Sequence, residues 1–480
     1  MSQSTQKRNS FSSSIGFVLA AAGSAVGLGN IWRFPYLAAK DGGGLFLLIY
    51  LILALTFGYT MLVSEVSIGR KTKQSELTAY SALYKSHALA SGGKPKKGGT
   101  VITKILGGFA AIVPFMILPY YCIIGGWVLK YCVIFCTGQG ASIAENSGEY
   151  FSGFITAQYE PIIFNAVFLA AVAVIIFMGV NKGIESISKI LMPALLVLVI
   201  AIAIFSITIN GDKHSGLDGL QVYLIPNFSG INASKVFFIV LDAMGQLFYS
   251  ISVAMGIMIT YGSYFKDDSN LIKSVNRIEI FDTAVAFLAG IMIIPAVFAF
   301  LGEDGLQNAG PGLMFIALPK VFAAMGWIGN IVGAVFFVMV FFAALTSAIS
   351  ILEAVVASIM DRFGLSRRIS TIIETVIALV IGIVICLGYN ILYFKAPMPN
   401  GGTAQLLDIF DYISNNILMP VVAIGTCILI GWIVKPVTII KEATKNGEKF
   451  GRKALYIAMI KFVSPVMLVI LLLGSLGIIK

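Results

Sequence analysis

AAAGSAVGLGNIWRFPY, residues 20–36, interrupts what is otherwise a membrane-spanning pattern. The stretch opens apolar, yet it carries Gly23, Gly27 and Gly29, then Asn30, Arg33 and Pro35. Glycine costs a helix about 1 kcal/mol relative to alanine, and a charge at bilayer depth is expensive enough to mark function. Taken alone, Gly23 and Gly27 also suit close helix packing of the small-xxx-small type. With Asn30, Arg33 and Pro35 beside them, the expectation is a span that breaks in the middle.

The rest of the chain gives this break its setting. The 480 residues are 58% hydrophobic and 12% charged, and apolar runs of about 20 residues, enough to cross the bilayer as a helix, recur along the whole length. A β-barrel would instead show alternating segments of about ten residues. The pattern predicts an all-α polytopic membrane protein with eleven spans, at 12–36, 43–69, 106–137, 161–180, 187–209, 235–262, 279–302, 326–360, 370–391, 405–434 and 456–479. The first span does not read as a cleavable signal, since a Ser-rich lead and a long glycine pattern replace the short apolar core and cleavage site.

Most of the 33 Lys and Arg residues fall in alternate loops, including Lys94, Lys96, Lys97 and the 435–461 cluster. By the positive-inside rule those loops and the N-terminus are cytoplasmic. The net charge of +10 is then a topogenic and lipid-facing signal, with the bilayer as partner and no nucleic acid implied. Cys122, Cys132, Cys136, Cys386 and Cys427 all fall inside expected spans and imply packing, with no disulfide framework. His87 and His214 read as solvated loop residues without a second ligand at metal spacing. The longest polar stretches are about 70–105 and 138–160; SGGKPKKGGT in the first reads as a flexible basic loop, and 138–160, with Glu145, Glu149 and Glu160 and no basic residue, as an outside loop.

A second interruption, GQLFYSISVAMG at 245–256, lies five spans after the first. Two five-helix halves of inverted topology, each led by a broken helix, would give that spacing. Unwinding at bilayer depth is tolerated where the freed amides and carbonyls face protein or a watery cavity, and half-helix N-termini there attract carboxylates while carbonyls and hydroxyls suit a hard cation.

At this point the sequence resembles the neurotransmitter:sodium symporter family, in its bacterial amino-acid transporter branch, from about residue 8 to 435. The similarity rests on AGSAVGLGNIWRFPY at 22–36 with GGG at 42–44, EVSIGR at 65–70, PYYCIIGGW at 119–127, GQLFYSISVAMGIMITYGSY at 245–264, PGLMFIALP at 311–319 and FFAALTSAIS at 341–350. The resemblance implies a single transporter domain over 1–480, a five-plus-five inverted repeat (12–209 and 235–434) with broken first and sixth helices, and an eleventh accessory helix at 456–479, where the family commonly has twelve. It implies a bacterial plasma-membrane protein, monomeric or weakly dimeric, that imports a free amino acid with Na⁺.

The same resemblance implies the site. One sodium would be held by carbonyls of Gly23, Val26 and Ala343 and hydroxyls of Thr346 and Ser347, although a Thr-Ser pair by itself more often bonds back along its own helix. A second sodium would use the Ala25 carbonyl, Asn30, Ser250 and Asp282, where many relatives have Asn. The Asp282 carboxylate would supply the charge that chloride supplies elsewhere, so chloride is expected to be dispensable. The substrate would lie among Ala25, Gly27, Leu28, Gly29, Ile117, Tyr121, Tyr249, Ser250, Ser252, Val253, Met255, Ser347, Ala348 and Ile351. Gly27 stands where monoamine carriers place Asp, which favours an α-amino acid. Met255 and Ala348 point to a roomy apolar pocket and hence to a large hydrophobic or aromatic substrate such as tyrosine, tryptophan, phenylalanine or leucine.

Arg33 and Asp411 match an outer gate, with Tyr121 and Tyr249 as a lid below it. Arg8 and Asp361 match an inner gate, near Tyr264 and with Phe11 in place of a usual Trp. Glu65 matches a brace for the broken helices, while Glu353 has no assigned role. A channel would need pore elements that the sequence lacks, and an enzyme would need a catalytic constellation such as GxxxxGK[ST], HExxH or GxSxG.

Overall fold

A computed structural model describes residues 10–211, 214–229, 231–399 and 401–479. The first span is two half-helices, Ser14–Ala25 and Gly29–Lys40, bent by 53°. Then come the second, Gly44–Thr72, the third, Lys97–Cys136, the fourth, Glu160–Phe177, and the fifth, Val180–Thr208. The sixth is again two pieces, Ala233–Ser250 and Ile257–Ser263. The seventh, Leu271–Leu306, eighth, Trp327–Phe363, ninth, Arg367–Leu387, tenth, Leu406–Ile433, and eleventh, Lys453–Ser475, complete the series.

Among the described residues nine helices are long and apolar enough to cross a membrane, and ten if the bent first pair is one span. The remaining expected span is the sixth. Lys235, Asp242 and Gln246 make its outer piece too polar for that criterion, and its inner piece is too short. Sequence capping is visible at several starts: Ser13 accepts from the Gly16 amide, Asn270 from Lys273 and Ser366 from Ile369.

Two sequence readings, of His87 and of Cys136, need correction. The 70–105 region contains a helix, Glu76–Ala90, and His87 lies on it, with Nδ1 3.5 Å from the Thr438 hydroxyl. The 138–160 region contains Gly140–Ala144 and Ser147–Thr156. Cys136 ends its span exposed, so packing does not explain it. His214 does lie outside the helices, with its ring centroid 4.5 Å from that of Phe298.

The eighth helix is the central one: 78% of its most apolar window is buried inside the protein, against 22% for the eleventh. Small residues and hydroxyls on the eighth let the third and first helices approach it. The eleventh lies at the periphery against the tenth. Just before it, Arg452 forks onto Glu279 of the seventh at 2.7 and 2.9 Å and lies 3.4 Å over the Tyr59 ring of the second.

Candidate functional site

The two breaks face each other. In the first helix the Val26 amide still donates to Ala22 O (2.7 Å), but Val26 itself is extended (φ −77°, ψ 93°), and the chain re-enters helix at Gly29. In the sixth helix Ser252, Ala254 and Gly256 have φ of 54°, 60° and 75°. Glycine takes that conformation freely, whereas Ser252 and Ala254 carry local strain of roughly 1 kcal/mol or more each. Two buried contacts hold them there. Ser252 Oγ donates to Ser24 O at 3.0 Å, and the Ala254 amide donates to Glu65 Oε1 at 2.6 Å. Glu65 therefore braces the broken sixth helix as expected.

Between the breaks lies a cavity of about 20 Å³. All the expected substrate residues line it except Val253 and Ala348, which are fully buried behind the wall. Ser24, Asn30 and Ile257 also line it. The volume corrects the expectation of a roomy pocket: it holds a water or so, and an amino acid enters only if the walls separate. Gly27 is one reason any space remains, since a Cβ there would sit 2.9 Å from Ser347 Oγ and 3.2 Å from the Tyr121 hydroxyl. That hydroxyl is buried without a hydrogen-bond partner and is thus free to meet a ligand carboxylate.

Asp282 lies behind Asn30 and Ser250, two residues of the cavity wall. Its Oδ1 accepts from Asn30 Nδ2 (2.9 Å) and Ser250 Oγ (2.8 Å), and its Oδ2 is buried with no partner. The first, sixth and seventh helices thus converge on a fully buried carboxylate with one uncommitted oxygen, a donor set that fits a hard cation. On the other side Ser347 Oγ lies 3.3 Å from Gly23 O and 3.5 Å from Val26 O. Thr346 Oγ1 lies 3.0 and 3.1 Å from the Phe342 and Ala343 carbonyls, so its proton goes back along its own helix while its lone pairs remain available. A Cβ on Gly23 would come within 3.2 Å of Thr346 Cβ, which shows how closely the two helices approach.

Tyr249 is shared. It lines the small cavity and also a larger one of about 260 Å³ toward the outer end, with Arg33, Asp242, Asn415 and Ser475. Arg33 and Asp411 are not joined by an ion pair in this structure. The Asp411 carboxylate instead accepts from Asn415 Nδ2 at 2.6 Å, and that nitrogen also lies 3.1 Å from the Tyr120 hydroxyl.

The inner end is closed by direct bonds. The Phe11 amide donates to Tyr264 O (3.1 Å), and the Phe11 ring meets Phe17 and Tyr261 edge-on, both at 5.6 Å. The Tyr264 hydroxyl donates to Glu353 Oε1 (2.6 Å), and Arg367 grips both oxygens of Glu353. Asp361 accepts from the Ser75 amide at 2.6 Å. Arg8 lies outside the described residues. Glu353, which has no role in the sequence reading, is thus the hub of the inner closure. Its partner Arg367 opens the next helix, and no helical periodicity announces a pair across that turn.

Broken helices around a buried, oxygen-rich cavity, inside a bundle of apolar spans, define a multi-pass membrane transporter for a small solute and cations. The model of the Sodium:neurotransmitter symporter family matches residues 8–141 and 161–480, and the chain belongs to that family. It is 32% identical to an uncharacterized sodium-dependent transporter, YhdH, of Bacillus subtilis (99% of this chain, 100% of the relative) and 30% identical to one of Haemophilus influenzae (99% and 100%). A crystal structure of MhsT in complex with L-phenylalanine superposes with a TM-score of 0.83 at 36% identity, over 98% of this chain and 100% of that one. The chain is a sodium-dependent symporter of this family and not an enzyme.

Proposed function

We propose that this chain imports a large hydrophobic or aromatic amino acid, driven by sodium entry, by alternating access across a bacterial plasma membrane with its N-terminus in the cytoplasm. The observation that carries the reading is the convergence of both helix breaks on one cavity, two of whose wall residues, Asn30 and Ser250, are bonded to the buried Asp282 carboxylate. Unwound backbone supplies amides for a substrate carboxylate, near Leu28 and Gly29, and carbonyls for cations. The relative crystallised with L-phenylalanine supports an aromatic-sized ligand.

In this reading one sodium lies among Ala25, Asn30, Ser250, Asp282 and the substrate carboxylate, so the ion and the substrate bind together. The other lies among Gly23, Val26, Ala343, Thr346 and Ser347. Because Asp282 supplies a negative charge when the cation binds, chloride is not needed to balance that cation. Tyr121 and Tyr249 close over the substrate, Arg33 and Asp411 approach above them, and Arg8 and Asp361 join the inner closure. The first ten spans work as two inverted halves, 12–209 and 235–434, with 456–479 accessory, in a monomer or weak dimer.

The test is uptake into proteoliposomes. An inward sodium gradient should drive saturable accumulation of labelled L-phenylalanine, and replacing chloride by gluconate should not change it. Uptake that is equal in choline would overturn sodium coupling, and competition by glycine, glutamate or lysine but not by leucine or tyrosine would overturn the substrate class.

A further inference from the structure

Glu76 belongs to none of the sites above. It opens the helix Glu76–Ala90, yet it is completely buried. Its Oε2 lies 2.6 Å from Thr260 Oγ1 of the inner sixth helix and its Oε1 2.9 Å from Ser358 Oγ of the eighth, hydrogen-bond distances that a protonated carboxyl satisfies by donating through one oxygen and accepting at the other. Its side chain also fills the space under the break, since a Cβ on Gly256 would lie 2.5 Å from Glu76 Cδ. One carboxyl therefore ties the moving inner half of the sixth helix to the central eighth helix, directly below the substrate cavity.

The groups around it are hydroxyls and acids. The second helix brings Glu65, the inner end of the eighth brings Asp361, and its own helix brings Tyr80, all near enough to interact with it electrostatically. The third helix packs glycine, Gly107, against its backbone. No hydrogen bond or ion pair links Glu76 to a cation among the described residues. A buried carboxylate without a cation is costly, and burial raises this acid from its ordinary range to about 8.

We propose that Glu76 is a proton-binding latch of the inner gate: protonated, it holds the sixth and eighth helices together, and on opening it gives its proton to cytoplasmic water. The carboxyl O–H breaks, the electron pair stays on the oxygen, and the resulting carboxylate is stabilised by water and by the helix N-terminus it occupies. The sign follows from linkage. Below the ordinary glutamate range the carboxyl is protonated with the gate open or closed, and pH has no effect. Between that range and about 8 only the closed gate retains the proton, so rising internal pH favours opening. Above it the dependence levels off.

The proposal rests on alternating access. Its test is sodium-driven exchange of labelled L-phenylalanine in proteoliposomes at internal pH 6.0 to 8.5 with external pH fixed, run beside equilibrium sodium-dependent binding to the same preparation. Exchange by the wild-type protein should rise several-fold across the range. Glu76→Gln should hold the gate in its protonated-like state, with exchange low and flat in internal pH. Thr260→Val with Ser358→Ala keeps the acid but removes the hydroxyls that favour its ionised form, and should give faster exchange whose rise with pH is shifted to higher internal pH. An undiminished pH response in Glu76→Gln overturns the latch, as does, if Glu76→Gln does not fold, a double variant whose pH response superimposes on the wild type's. Loss of sodium-dependent binding in the wild type would instead overturn the transport reading itself.

Discussion

The two ends of the path through the cavity between the helix breaks are built from the same kinds of residue and are in opposite conditions. At the outer end an arginine and an aspartate, Arg33 and Asp411, stand without an ion pair beside a cavity of about 260 Å³. At the inner end Arg367 grips Glu353, Tyr264 donates to it, and Phe11 caps the assembly. The outer side is open to its floor at Tyr249, while the inner side is shut. Transport requires the reverse arrangement as well, so the inner bonds must be strong enough to seal the path and few enough to break. In the proposed alternating access their breaking and the loss of the outer space are the two ends of one motion.

The largest effect is expected where the ends meet. Asp282→Asn should reduce sodium-driven uptake at least tenfold in chloride-free medium, because the substitution removes the carboxylate bonded to Asn30 and Ser250. Equal uptake by this variant and the wild type in both chloride and gluconate would remove Asp282 from the sodium site. Next comes the inner closure. Arg367→Met leaves Glu353 buried without its cation, a loss of about 3–5 kcal/mol for such a pair, and should populate the inward-facing state. Reactivity of an introduced inner-pathway cysteine toward a membrane-impermeant thiol reagent should rise, and unchanged reactivity would show that Glu353 and Arg367 do not seal that end.

Thr346→Ala with Ser347→Ala removes two oxygens from the first and eighth helix contact and should raise the sodium concentration for half-maximal binding about tenfold. A titration that superimposes on the wild type would place that sodium elsewhere. Gly27→Ala puts a Cβ 2.9 Å from Ser347 Oγ and should weaken L-phenylalanine binding by a few-fold. The smallest effect belongs to Ala348→Ser, since Ala348 is buried behind the cavity wall. A change in substrate preference larger than about twofold there would mean that the wall moves enough on binding to expose it.

The sequence made the breaks legible because they depend on local chemistry: glycine, proline and isolated polar residues in apolar runs. It also made most of the cavity wall legible, since a matching motif carries neighbouring positions with it. Three things depended on distant parts of the chain. The pairing of Glu353 with Arg367 crosses a turn between two helices. Glu76 lies in a stretch whose polar composition announces nothing, and only folding brings Thr260 and Ser358 to it. The pocket's size was misjudged because volume is set by how far helices stand apart, which residue size alone does not fix. The His87 helix was missed because polar composition was read as loop, although Ser75 followed by Glu76 is a reasonable helix start.

Equilibrium binding of labelled L-phenylalanine to the purified protein, titrated with sodium in chloride and in gluconate, tests most directly whether the two helix breaks form a joint site for sodium and amino acid. The account predicts saturable binding that needs sodium, is unchanged when gluconate replaces chloride, and is lost in Asp282→Asn in gluconate. Binding of the same affinity in sodium and in choline would contradict it.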